Sequence, residues 1–185
     1  MKYSAPFDVS RRRFLKYGVF GTALLAGGGY AATRMTDAGI VPRIPVLNHL
    51  DAGGQSVFGA VSDVVLDGML PEDGTERRAA IDDVLVGIDG LLNDLPESSR
   101  KEVKDLLGLL AMAPTRFILG GRWGNWDAAS RDQVRSYLDG LASSRAALKR
   151  TAFVVLRDMP TSAFYGSRRS WELIGYDGPM FDNDA

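Results

Sequence analysis

The sequence contains no cysteine and only one histidine among its 185 residues. Zinc fingers, iron–sulfur clusters, disulfide scaffolds and thiol redox sites need cysteine, so the sequence excludes all of them. The single imidazole also excludes a helix-borne His-Glu-x-x-His metal site, which needs two histidines. A chain of this length buries about 70% of its unfolded surface, so a hydrophobic core can form without metals or disulfides.

Strand signals are absent as well. No run of about four to eight residues alternates apolar and polar side chains, and no Asn-Gly or Asp-Gly turn joins two such runs. Apolar residues recur instead at helical spacing. We therefore predict an all-α fold, an irregular bundle of about five helices with an aromatic-rich C-terminal extension.

Proline and capping residues predict where the helices begin and end. The first helix is predicted over residues 55–69, before Pro71. The second begins with the pair Asp73 and Glu76 and ends at Pro96. The third begins with the capping box Ser99 and Glu102 and ends at Pro114. A fourth helix is predicted to begin at Asp127 or Ser130, and a fifth to begin at Ser143 or Ser144 and end at Pro160.

Residues 33–54 contain prolines and glycines and have no helical period. This composition predicts an extended linker, which either lies along the domain or connects it to the preceding segment. The helical domain then covers residues 55–185.

A twin-arginine motif precedes the linker. The pattern resembles a bacterial Tat export signal and consists of Ser10, Arg11, Arg12, Arg13, Phe14, Leu15 and Lys16. The apolar stretch that follows, residues 17–32, has 16 residues, fewer than the roughly 20 that cross a bilayer as a helix. We interpret residues 1–32 as a twin-arginine signal segment, which predicts a periplasmic protein.

The remaining chain, residues 33–185, is acidic. It has 17 basic and 22 acidic side chains, a net charge of −5. Affinity for nucleic-acid phosphates comes from clustered lysine and arginine, so the charge argues against a nucleic-acid partner. A protein or a small molecule is the expected partner.

Residues with catalytic potential are isolated from one another. His49 lies in the linker without a positioned cysteine, serine or carboxylate, which favours a surface or structural role. Asp63 and Asp67 are four residues apart on one helix face and could act as acid and base, but a solvated face is the simpler interpretation. Asp82 and Asp83 are interpreted in the same way. We predict no catalytic, cofactor-binding or metal-binding residues in this chain.

Aromatic residues are concentrated near the C-terminus, where all three tryptophans fall within the last 70 residues. They either close the open end of a small bundle or form an exposed patch that binds another protein. Tryptophan, tyrosine and arginine dominate protein interfaces because they offer large, rigid contact area with a polar group.

The C-terminal sequence favours the second alternative because it resembles a known family. Phe164-Tyr165-Gly166 is followed by Trp171-Glu-Leu-Ile-Gly-Tyr176-Asp-Gly-Pro, a pattern that is similar to the gluconate 2-dehydrogenase subunit 3 family. The twin-arginine motif and the end of the first helix, Met69 to Pro71, also look like that family.

The resemblance implies a non-catalytic role. Members of this family are small subunits of FAD-dependent dehydrogenases of the glucose–methanol–choline type, which oxidise sugars and alcohols. The large subunit carries the FAD and crosses the membrane folded, through the Tat translocase, together with the small subunit. Electrons commonly pass on to a c-type cytochrome subunit. The complex is then periplasmic, free or attached to the inner membrane through an uncleaved signal or through its other subunits.

We accordingly expect one surface to bind the large subunit. Its residues are Phe164, Tyr165, Trp171 and Tyr176, with Arg168 and Arg169 on the rim. Two hypotheses compete with this one. The chain could be a free-standing exported binding or scaffold bundle without a redox partner, or an enzyme that uses carboxylates alone.

Overall fold

The computed structural model describes residues 42–112 and 125–175. These residues form six helices, which are α1 (Ala52–Val65), α2 (Gly74–Asp94), α3 (Glu97–Ala111), α4 (Arg131–Ala142), α5 (Ala147–Tyr165) and α6 (Arg168–Ile174). No strand occurs in these two ranges, so the predicted all-α fold is confirmed. None of the described helices is both long and apolar enough to cross a membrane.

Side-chain caps begin three of these helices. Asp51 accepts the Gly54 N–H at 2.8 Å and so starts α1 at Ala52, three residues before the predicted position. Asp73 accepts two N–H groups at the start of α2, as its position in the sequence predicts. Ser130 and Gln133 form a reciprocal capping box at the start of α4, which selects Ser130 over Asp127.

The predicted capping box at Ser99 and Glu102 is wrong. Helix α3 begins two residues earlier, at Glu97, and has no side-chain cap. Pro96 takes the N-cap position with φ of −52°, a value that the pyrrolidine ring fixes and that leads directly into a helix. Ser99 and Glu102 therefore lie inside the first turns of α3.

The predicted start and end of the last long helix are also wrong. Helix α5 begins after Ala146, and Ser144 caps only the preceding turn, where its hydroxyl accepts the Ala146 N–H at 3.2 Å. The helix passes through Pro160 and continues to Tyr165. Pro160 lacks one backbone N–H, but Ala163 and Phe164 beyond it are buried, and this packing offsets the missing hydrogen bond.

The core lies where α1 and α5 meet α2. Its fully buried side chains include Val57, Phe58 and Val61 of α1, Leu85, Ile88 and Leu92 of α2, Leu110 of α3, Leu141 of α4, and Ala152 and Leu156 of α5. Helices α2 and α5 approach closely at Gly87, where an added Cβ would lie 3.0 Å from the Ala163 Cβ. Helices α3 and α4 cover the remaining sides of α1.

Residues 42–50, here called the strap, have no helix and lie along α1 and α2. Buried Gln55 bonds both backbone groups of Ile44, accepting its N–H at 2.9 Å and donating to its carbonyl at 3.1 Å. Buried Asp89 accepts three consecutive backbone N–H groups, from Asn48, His49 and Leu50, at 3.1, 2.7 and 2.8 Å. This half of the predicted linker is thus fixed to the domain.

Candidate partner-binding surface

Five of the six predicted partner-binding residues lie on the α5–α6 hairpin, residues 162–175. Gly166 ends α5, and its N–H donates to the Ser162 carbonyl at 2.9 Å. An added Cβ at Gly166 would lie 3.1 Å from that same carbonyl oxygen, so the chain turns tightly here. The hydroxyls of Ser167 and Ser170 each donate at 2.7 Å to a carbonyl three residues earlier. These bonds hold α6 close to the end of α5.

Phe164 and Tyr165 occupy different environments although they are adjacent. Phe164 is 2% exposed and belongs to the core, whereas Tyr165 is 41% exposed. Their rings meet edge to face, with centroids 5.4 Å apart. Phe164 therefore supports the Tyr165 ring from below, and only Tyr165 presents an aromatic surface to solvent.

Trp171 lies next to Tyr165. The Trp171 indole Nε1–H donates to the Tyr165 carbonyl at 3.1 Å, and the indole is half-buried. Arg168 is exposed on the first turn of α6. Trp171 thus contacts Tyr165, and exposed Arg168 precedes Trp171 by three residues on α6; we call these three residues the hairpin surface.

Arg169 points away toward α2. Its Nη1 lies 3.1 Å from Asp83 Oδ2, an ion pair that joins the hairpin to the core helix. Asp83 therefore has an arginine partner, and its side chain is 66% exposed, as expected of a solvated helix face. Tyr176 and the seven residues of the twin-arginine motif, positions 10–16, lie outside the described residues.

Asp63 and Asp67 are both ion-paired, which the sequence alone did not predict. They bind three arginines from α2 and α4: Arg77, Arg131 and Arg135. Arg77 contacts the Asp63 carboxylate through Nε and donates to the Asp63 carbonyl at 2.9 Å. The five side chains join the C-terminal end of α1 to the first turns of α2 and α4.

The ionisation of Asp63 follows from this geometry. Burial alone would raise the pKa of the Asp63 carboxyl, but hydrogen bonds and charge from Arg77 and Arg131 outweigh it and lower the pKa below 3.8. A general acid at neutral pH needs a raised pKa instead. Asp63 thus remains ionised at neutral pH, and together Asp63 and Asp67 link three helices through their arginine partners.

The other polar residues singled out in the sequence have structural partners. His49 Nε2 lies 3.3 Å from Asn93 Oδ1, in agreement with a surface role. Asp82 pairs with Arg43 of the strap at 2.9 Å. Within 42–112 and 125–175, no three histidine, aspartate or glutamate side chains gather closely enough to hold a metal ion.

Of the two tryptophans in the described ranges, Trp126 closes the bundle rather than forming a patch. It is 2% exposed, its Nε1–H donates to the Leu110 carbonyl at 2.8 Å, and its ring meets Tyr137 edge to face at 5.2 Å. Trp126 thus follows the first of the two aromatic alternatives, whereas Tyr165 on the α5–α6 hairpin is an exposed aromatic residue, as the second alternative requires.

Comparison with known proteins identifies no relative of this chain. No protein-family model, curated protein or solved structure matches the chain. The resemblance to the gluconate 2-dehydrogenase subunit 3 family therefore remains a prediction from the residues quoted above.

Proposed function

We propose that this chain is a non-catalytic small subunit that binds, stabilises and escorts a periplasmic FAD-dependent dehydrogenase. The large subunit would be of the glucose–methanol–choline type, act on a sugar or alcohol, and cross the membrane through the Tat pathway with this chain. The chain itself contributes an export signal and a binding surface, and the flavin lies in the partner.

The hairpin surface is the observation that carries the proposal. Tyr165 and Trp171 are joined by a hydrogen bond at 3.1 Å, and Tyr165 is 41% exposed over buried Phe164. Residues of this kind, held rigidly by a core, lose little conformational entropy when a partner covers them. The surface also coincides with the sequence segment that resembles the family.

A point substitution tests this surface better than a truncation. Removal of residues 160–185 would delete the buried side chains of Pro160, Ala163 and Phe164 and so damage the core. Tyr165→Glu instead places a charge on the exposed ring position and leaves Phe164 in place. The matched control is Leu148→Glu on the same helix, at a residue 46% exposed.

The measurement is the amount of flavin that co-purifies with the affinity-tagged chain. Tyr165→Glu should lower it at least about tenfold, the effect of a central hot-spot residue, whereas Leu148→Glu should leave it unchanged. Circular dichroism would check that both variants stay folded. Equal flavin recovery from the two variants would remove Tyr165 from the interface.

A further inference from the structure

Two buried side chains fix the strap, which joins residues 1–41 to the helical domain. Gln55 of α1 is 2% exposed and Asp89 of α2 is 8% exposed, so both polar groups need hydrogen-bond partners inside the protein. The backbone of the strap provides these partners. Besides its two bonds to Ile44, Gln55 donates through Nε2 to the Leu50 carbonyl at 3.0 Å. The strap is thus held near both of its ends by side chains of two helices.

This arrangement exists only after α1 and α2 have packed against each other. The N–H groups that Asp89 accepts lie 39 to 41 positions before it in the chain. Leu50, the last residue of the strap, is 2% exposed and belongs to the hydrophobic core. In an unfolded chain these contacts are lost, and the strap becomes an accessible segment. The order of the strap therefore depends on the folding of the α1–α2 pair.

One peptide bond of the strap is a substrate site for proteases with arginine specificity. Arg43 is the only lysine or arginine among residues 42–50, and Ile44 follows it. A protease of the trypsin type binds the arginine side chain in a pocket and holds the chain around the cleaved bond in an extended form. Cleavage adds one water across the bond, which leaves a carboxylate on Arg43 and an amine on Ile44.

In the folded protein, the groups around this bond are already engaged. The Ile44 N–H, which belongs to the bond itself, donates to Gln55 Oε1 at 2.9 Å. The Arg43 guanidinium pairs with Asp82 of α2 at 2.9 Å. A protease would have to break these contacts before it could bind the segment. Resistance to cutting follows the burial and hydrogen bonding of the backbone, so the folded domain should protect this bond.

We propose that the strap is a folding-dependent latch. The packed α1–α2 pair protects the Arg43–Ile44 bond, and a chain in which this pair has not formed is cut there by proteases with arginine specificity. Such a chain loses every residue before Ile44, including the twin-arginine motif at residues 10–16. Only folded chains then keep the motif. The consequence for export rests on the proposed function, whereas the latch itself does not.

Limited digestion of the purified full-length chain with trypsin tests the latch. Mass spectrometry measures the rate at which a fragment beginning with Ile44 appears. The rate of cutting after exposed Arg145, between α4 and α5, is measured in the same digest. A synthetic peptide of residues 38–50 gives the rate for the same bond without the domain.

The main variant is Asp89→Asn, which removes the charge that holds three N–H groups of the strap. The matched control is Asp94→Asn, at an exposed carboxylate of the same helix. A second variant, Gln55→Met, removes both hydrogen bonds to Ile44 and keeps a side chain of similar volume.

The peptide should be cut at least about 100-fold faster than the same bond of the wild-type chain, because cleavage is limited by the small fraction of chains in which the strap is open. Asp89→Asn should speed cleavage after Arg43 about tenfold, since it weakens charge-assisted hydrogen bonds, and leave the rate at Arg145 unchanged. Gln55→Met should act in the same direction. Asp94→Asn should change neither rate.

Equal cleavage of the peptide and of the wild-type chain would overturn the proposal, as would equal effects of Asp89→Asn and Asp94→Asn. An effect of Asp89→Asn that is as large at Arg145 as at Arg43 would also overturn it, because the whole domain would then loosen without a local latch. These digests contain no flavoprotein, so their failure would leave the hairpin surface and its flavin test unaffected.

Discussion

Single side chains account for much of how this molecule is held together. Asp89 is the most informative, because one carboxylate accepts three consecutive N–H groups of the strap and is 8% exposed. Nothing in its sequence context distinguishes it, since an aspartate among apolar helix residues reads as an ordinary polar position. Its role depends on residues about 40 positions earlier, which helical periodicity cannot indicate.

Asp63 makes stability depend on pH. Its pKa is lowered on folding, so its contribution is complete above the ordinary value of 3.8 and is lost as the pH falls through the lower, folded-state value. Asp63→Asn should therefore destabilise the protein by about 2 kcal/mol at neutral pH, because Arg77, whose side chain is 10% exposed, loses a charged partner. The difference in the free energy of unfolding between this variant and the wild type should shrink in acid.

Urea unfolding at about pH 6 and at about pH 2.5 measures this change. The control is Asp139→Asn, at an exposed carboxylate of α4, which should change stability by less than about 0.5 kcal/mol. If Asp63→Asn lowers the free energy of unfolding equally at both pH values, loss of the ion pair between Asp63 and Arg77 is not the cause.

At the scale of the elements, the sequence predicts which helices exist better than where they end. Apolar periodicity predicts the five longer helices, since that signal comes from many residues at once. Pro96 ends α2, as predicted, but the predicted start of α3 at Ser99 and end of α5 at Pro160 are wrong, because the effect of a proline depends on its context. Pro96 also takes the N-cap position of α3, and Pro160 lies within α5, where burial of Phe164 beyond it outweighs a lost hydrogen bond.

The crossing of α2 and α5 provides a test of packing at this scale. Gly87 faces Ala163 at a distance that leaves no room for a larger side chain, whereas Gly90, one turn away, has no atom within 4 Å of an added Cβ. Gly87→Leu should destabilise the protein by about 1–3 kcal/mol through overpacking. Gly90→Leu should be neutral or stabilise it by up to about 1 kcal/mol, because leucine favours a helix more than glycine does.

Thermal unfolding of the two variants makes the comparison directly. Both substitutions add the same side chain to the same helix, so helix propensity contributes equally and the difference reports the α2–α5 contact. Equal melting temperatures would mean that the two helices can separate at this point without cost.

For the whole molecule, the fold class followed from the sequence more readily than the charged sites did. The ion pairs were not predicted because the partners are distant in the chain: Asp63 pairs with Arg131, and Asp83 with Arg169. The hairpin surface was predictable because Tyr165 and Trp171 are close in the sequence.

The central proposal is that this helical protein performs no chemistry and instead binds a flavin-bearing partner for export. The most direct test is to purify the tagged chain from the periplasm of its own cells and record the flavin absorbance of the product. We predict flavin in about equimolar amount, held by a larger second polypeptide. Replacing both Arg11 and Arg12 with lysine should remove this flavin from the periplasm. A colourless chain without a companion, or one that turns over a substrate alone, would contradict the proposal.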